Sequence, residues 1–269
     1  MMASLFMAYD LHSPSFPGFR KWRGRSRFAP KAAIVGKNCS WAWFPCEVGY
    51  SPVMNVRATL QFSTLPDGRA VVIKRGPRAV KEAEALQACA GHGVVGLLAC
   101  DEESVTLPRL QGESLATRLE RSPLDLDSLS HLFLSVATTL NHIHGLGWLH
   151  NDVSPPNLWL TGSDVVLLDF DAACRSGEPQ TMGTLHYMAP ERHEGPPTWS
   201  SDLYALGITL YEAASGRLPF EAQTTAEIVS AHHRHWFIPL GELCPDLPVE
   251  LTGAIEQLID RDPEKRALG

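Results

Sequence analysis

A membrane-spanning run is missing from this sequence: its 269 residues contain no stretch of about 18 consecutive apolar residues. A secretory signal is not expected either, because the apolar start MMASLFMA has no positive charge before it and Asp10 interrupts it. Paired cysteines are absent. Cys39, Cys46, Cys89, Cys100, Cys174 and Cys244 are scattered, with no CxxC and no metal-ligand spacing. A reducing, cytoplasmic setting with free thiols is therefore expected. An excess of positive charge is lacking too. Lys and Arg number 23 against 30 Asp and Glu, a formal charge of −7, so no bulk electrostatic footprint for nucleic acid exists. No internal repeat or low-complexity tract stands out. With 44% hydrophobic and 20% charged residues, the rest reads as an ordinary globular chain with ample core.

The most informative stretch is 149–171, LHNDVSPPNLWLTGSDVVLLDFD. Two acids, Asp152 and Asp169, and one amide, Asn157, stand around a polar turn between apolar runs. That pattern sets a proton acceptor beside oxygen ligands for a hard cation, as phosphoryl transfer from a metal nucleotide requires.

Along the chain, residues 1–44 show little periodicity and read as an extension outside the main fold, although KAAIVG has strand character. The basic stretch 20–37 reads as a surface-lying extension, with organelle targeting or partner binding as the other reading. VMNVRATLQF and RAVVIK flank LPDG at 65–68, a hairpin signal. RAVKEAEALQACAG predicts a helix with Val80, Leu86 and Ala90 on one face. VVGLLAC and SVTLPRL predict two further strands. Helical patterns follow, the strongest in 128–147, where Leu129, Leu132, Val136, Leu140 and Ile143 recur at helical spacing. Others are SDLYALGITLYEAASG, AEIVSAHHRHW and LTGAIEQLI. Strands with one helix, then mostly helices, predict an α+β fold of two lobes with a cleft between them.

Together these residues resemble the catalytic core of eukaryotic-type Ser/Thr protein kinases, over about residues 47–266. The resemblance implies a kinase-like domain at 45–269, with a small β-rich N-lobe over about 45–108 and a larger helical C-lobe over about 109–269. VVIK at 71–74 matches the family's VAIK, so Lys74 would contact the nucleotide phosphates. Glu82 would be its helix partner, with Glu84 as the rival. His150-Asn151-Asp152 and Asn157 match HRDxxxxN. Asp152 would then accept or orient the hydroxyl proton, and Asn157 would bind metal. Asp169 would chelate Mg²⁺. VTLPRLQGESL resembles the connection between lobes, with Leu107 at the gatekeeper position and adenine against backbone near Arg109. GTLHYMAPE at 183–191 resembles the substrate-side loop, with Thr184 contacting the catalytic loop. Asp202 would support the catalytic-loop backbone, and Arg266 would pair with Glu191. These downstream matches separate the chain from small-molecule kinases. The implied activity is transfer of the ATP γ-phosphate, with Mg²⁺, to Ser/Thr hydroxyls of a protein substrate.

Several positions depart from the family's pattern. Gly49 is the only glycine in EVGYSPVMNVRATL, where the family has a Gly-rich phosphate loop. DFG reads Asp169-Phe170-Asp171, which would disturb the movement of this segment or add a metal ligand. Asn151 replaces the arginine that receives a phosphorylated activation loop, so activity independent of phosphorylation at Thr181 or Thr184 is expected. Ser154 replaces a lysine, and the sequence stops three residues past Arg266, short of the family's last helix. The alternative to an enzyme is thus a pseudokinase acting as a binding or scaffold module.

Overall fold

The computed structural model describes residues 58–162 and 164–267. The expected extension at 1–44, the KAAIVG run and the glycine-poor EVGYSPVMN segment lie outside the described residues.

The first lobe is built on a hairpin. β1 (Thr59–Thr64) and β2 (Ala70–Arg75) pair antiparallel, Thr64 opposite Ala70. The turn between them needs a left-handed residue, which Gly68 supplies at φ 87°; its N–H donates to Leu65 O at 2.9 Å. Asp67 accepts the Arg69 N–H at 3.0 Å, closing the turn where the sequence predicts it. α1 (Ala79–Ala88), β3 (Ala99–Cys100) and β4 (Ser104–Pro108) follow, and the sheet order is β1-β2-β4-β3.

Two sequence expectations need correction here. α1 buries Ala79, Glu82, Ala83 and Leu86, at helical spacing, whereas Val80 is 61% exposed and Ala90 is exposed beyond the helix end. Six residues are about 1.7 turns, so Val80 and Leu86 cannot share a face. The VVGLLAC run is a strand only at Ala99 and Cys100. Its front half instead crosses to the other lobe. Val94 bridges Leu167, and Leu167 N–H donates to Gly93 O at 2.7 Å. An apolar run signals burial, and here the burial comes from a crossing rather than a ladder.

The second lobe is mostly helical. β5 (Glu113–Ser114) and α2 (Leu115–Leu119) lead into α3 (Leu126–Gly145), whose first turn is capped by Asp125 accepting from Ser128 N–H at 2.8 Å. All five leucine, valine and isoleucine positions singled out on α3 are buried. β6 (Trp148–Leu149), β7 (Leu158–Thr161), β8 (Asp164–Leu167) and β9 (Cys174–Arg175) form two small ladders, β5-β7-β8 and β6-β9. α4 (Trp199–Ser215) is buried on nearly every side and packs on α3. α5 (Thr225–Arg234), α6 (Leu240–Leu243) and α7 (Val249–Leu258) complete the lobe. Among the described residues no helix is long and apolar enough to cross a membrane. The result is the expected α+β fold of two lobes.

Candidate functional site

The β7–β8 hairpin and the loop before it carry the acids. Asp152 sits in the turn after β6, Asn157 ends a 3-10 turn opened by two prolines, and Asp169 follows β8. Leu168 N–H donates to Asn157 O at 2.8 Å, which ties the two acid-bearing segments together. Asn157 Nδ2 donates to Asp152 O at 2.8 Å and to Asp152 Oδ2 at 2.9 Å. Asp152 Oδ1 accepts the Thr184 N–H at 2.7 Å. Thr184 therefore does contact the catalytic loop, through its backbone rather than its hydroxyl.

Lys74 reaches across from β2. Its Nζ lies 2.9 Å from Glu82 Oε1 and 2.7 Å from Asp169 Oδ1, joining α1, the sheet and the turn after β8 through one ammonium. Glu82, not the exposed Glu84, is the partner. Burial disfavours the Lys74 ammonium, but the two carboxylates outweigh it and hold its pKa above the ordinary lysine value. Burial pushes the Glu82 carboxyl up to about 7, with Lys74 opposing. Asp169 is only half-buried; partial desolvation works against its charge, yet Lys74 keeps it below the usual carboxylate range. Asp169 is held in the left-handed region at φ 58°, a conformation Asp tolerates better than most residues.

The residue after Phe170 has found a partner. Asp171 forms an ion pair with Arg78 at 3.3 Å, at the N-terminus of α1.

Asp202 carries the loop from below. It is fully buried and accepts the N–H groups of His150 (2.9 Å) and Asn151 (2.8 Å), while His144 Nε2 lies 2.9 Å away. Burial works against its charge, but the His144 and backbone contacts win and keep its pKa low. His150 Nε2 lies 2.9 Å from Leu168 O, and its ring meets Phe170 edge-on at 4.8 Å. On the far side, Arg266 binds Glu191 through two nitrogens, at 2.7 and 3.0 Å. Its other donors reach Asp260 O, Ser200 O and Arg261 O, so all five guanidinium N–H groups are used.

The oxygen donors fit a magnesium ion. Asp169 Oδ2 and Asn157 Oδ1 have no hydrogen-bond partner among the described residues. No group of three or more His, Cys, Asp or Glu forms a metal cage among those residues. Magnesium suits that poverty of ligands, since it is held by one or two protein oxygens plus nucleotide phosphates and water. At the edge between lobes, Leu107 is half-buried in β4. The Arg109 N–H donates to Ala70 O at 3.0 Å and its guanidinium lies over Phe62 at 5.0 Å, so that N–H is committed to the sheet. Leu110, which sequence reasoning passed over, makes no backbone hydrogen bond among the described residues.

Ser154 is buried and brings no cation to the loop. Reading the sequence also missed His144, Arg78, Gln180 and Arg192. His144 has a signal of sorts, as a histidine in the last turn of the helix leading to the acids.

A protein kinase domain profile matches residues 69–268. A probable serine/threonine-protein kinase of Clostridium acetobutylicum is 32% identical over 155 residues, covering 55% of this chain and 24% of that protein. A probable serine/threonine-protein kinase of Clostridium perfringens is 29% identical over 199 residues, 69% of this chain and 29% of that one. Serine/threonine-protein kinase PknK of Mycobacterium tuberculosis is 31% identical over 204 residues, 70% of this chain and 18% of that one. The chain thus spans less than a third of the length of these relatives. Because the profile covers well over half of the sequence, the chain belongs to the protein kinase domain family.

Proposed function

We propose that this chain is an ATP-dependent protein kinase acting on Ser or Thr hydroxyls of a protein substrate. The observation that carries the reading is the three-way contact of Lys74 with Glu82 and Asp169, beside the Asp152–Asn157 pair. Such an ammonium offsets phosphate charge and fixes its place, and fixed charge in a sheltered cleft is the largest lever on phosphoryl transfer.

The residues divide the work. Lys74 steadies the phosphates, and Glu82 holds Lys74. Asn157 and Asp169 would hold Mg²⁺, which when bound would neutralise charge on the phosphates. Adenine lies at the β4 edge, against Leu107 and the backbone around Arg109 and Leu110. The attacking hydroxyl oxygen bonds to the γ-phosphorus as the bond to the β-γ bridging oxygen breaks, and the hydroxyl proton passes to Asp152. Both Asp152 oxygens already accept one N–H, but each retains a second lone pair for that proton.

In this reading the N-lobe runs over about 45–108, the C-lobe over 109–269, and residues 1–44 are an extension. The four described cysteines are free, which agrees with a reducing, cytoplasmic setting. The test is ³²P transfer from Mg·ATP to generic protein substrates, with Asp152→Asn as control. The wild type is expected to exceed the control by about 10²-fold or more. Equal transfer, with Mg·ATP still raising the melting temperature, would leave the pseudokinase reading in its place.

A further inference from the structure

The departure at Asn151 removes a guanidinium from the catalytic loop, and the fold brings one back from elsewhere. Arg192, the residue after the Ala189-Pro190-Glu191 triplet, places Nη1 3.1 Å from Asn151 Oδ1. Its Nη2 donates to Gln180 O at 2.9 Å and to Met182 O at 3.0 Å. The acceptors are one side-chain amide oxygen and two backbone carbonyls, none of them charged.

The surrounding contacts make this a lattice rather than a single bond. Asn151 is 7% exposed and held at φ 66°, a left-handed conformation that Asn adopts more readily than most residues. Its Nδ2 donates to Ala172 O and Cys174 Sγ, both at 3.1 Å. Gln180, 8% exposed, also donates to Ala172 O, at 2.9 Å, while its Oε1 accepts the N–H groups of Thr181 and Met182. Gly183 passes so close that a Cβ there would meet Asn151 O at 2.6 Å. The next residue, Thr184, donates to Asp152. A continuous chain of contacts therefore runs from Arg192 through Met182, Gly183 and Thr184 to the proposed proton acceptor.

We propose that Arg192 is a positioning residue that fixes segment 180–184 against the catalytic loop through neutral acceptors, doing without a phosphate the work a phosphorylated residue would do. What decides is where the terminal fork points. A guanidinium that waited for a phosphate would aim that fork at open space or at a carboxylate. In Arg192 the fork bridges instead, Nη1 to the catalytic loop and Nη2 to the segment, while Nε is buried without a partner among the described residues. Arg192 is half-buried, and burial costs this cation solvation, which its bonds to the three oxygens help to offset. The inference rests on the kinase reading for its activity arm and is independent of it for its structural arm.

The test compares wild type, Arg192→Met and Arg192→Lys by hydrogen exchange of the Thr181, Met182 and Thr184 amides, and by transfer kinetics. Arg192→Met keeps an apolar stem and removes every donor. It is expected to speed exchange at those amides about tenfold or more. It is also expected to lower kcat/KM for the protein substrate about tenfold or more, while KM for Mg·ATP stays within about twofold. Arg192→Lys, with one compact ammonium, is expected to recover part of both effects. If Arg192→Met proves unstable, the lysine variant carries the comparison. Wild-type exchange and wild-type kcat/KM in both variants would overturn the proposal. A wild type no better than Asp152→Asn would instead remove the kinase reading, and the exchange data would still decide whether Arg192 positions the segment.

Discussion

Around Lys74 the cleft is closed by charge: one ammonium, two carboxylates, and a second ion pair from Asp171 to Arg78. Around Arg192 it is closed by neutral oxygen acceptors, two of them backbone carbonyls. The first region depends on the protonation of several members, the second on acceptors that do not titrate. On the proposed function, charge suits the side that would meet phosphate and metal, because those ligands compete on the same terms. Neutral acceptors suit the side that must stay put whatever ligands arrive.

The largest effect expected from this contrast is at Lys74. Lys74→Met leaves Glu82 and Asp169 without their shared cation and should cost about 10²–10³-fold in kcat/KM for transfer. Retention of a third of wild-type activity would show that charge does not organise this side. Next is Arg266→Ala, which leaves Glu191 with only the Ser201 hydroxyl and empties five hydrogen bonds beside the residue that carries the Arg192 network. Breaking a buried pair costs about 3–5 kcal/mol, readable by urea unfolding. A loss near that of a surface bridge, under about 1 kcal/mol, would mean Glu191 is not anchored there.

A pH effect separates the two regions further. With its pKa near 7, Glu82 gains a proton as pH falls through that value and lets go of Lys74. kcat/KM should therefore fall on the acid side with an apparent pKa near 7, and Glu82→Gln should abolish that limb at a lower plateau. Exchange at the 181–184 amides, corrected for intrinsic rates, should not follow it. For stability the sign reverses. A carboxyl whose folded pKa is raised adds stability below its unfolded value of 4.5 and loses it as pH climbs to about 7. The smallest effect is expected from Asp171→Gly. Its pair with Arg78 is part-exposed, so under about 1 kcal/mol and a few-fold in rate should be lost.

The same contrast explains what could be read from the sequence. Lys74, Glu82, Asp152, Asn157, Asp169, Asp202 and the Glu191–Arg266 pair stand in recognisable spacings, because each role demands a particular side chain. Arg192 and Gln180 had no such signal. Their partners are largely main-chain atoms, which every residue carries, so no partner type marks the site. Arg78 was hidden for another reason: its use depends on how α1 abuts the turn after Asp169. In the fold, α3 was legible from its period, since burial on one face fixes the residues that recur. VVGLLAC was not, because an apolar run reports burial without saying whether it pairs or crosses. Val80 failed on helical phase alone.

The most direct measurement is the rate of Asp152-dependent ³²P transfer to a protein substrate by phosphatase-treated and untreated protein. If Arg192, bonded to neutral acceptors, already holds the activation segment, the two rates should agree within about threefold. A tenfold or greater loss on dephosphorylation would contradict that, and would mean a phosphate on the segment does the holding.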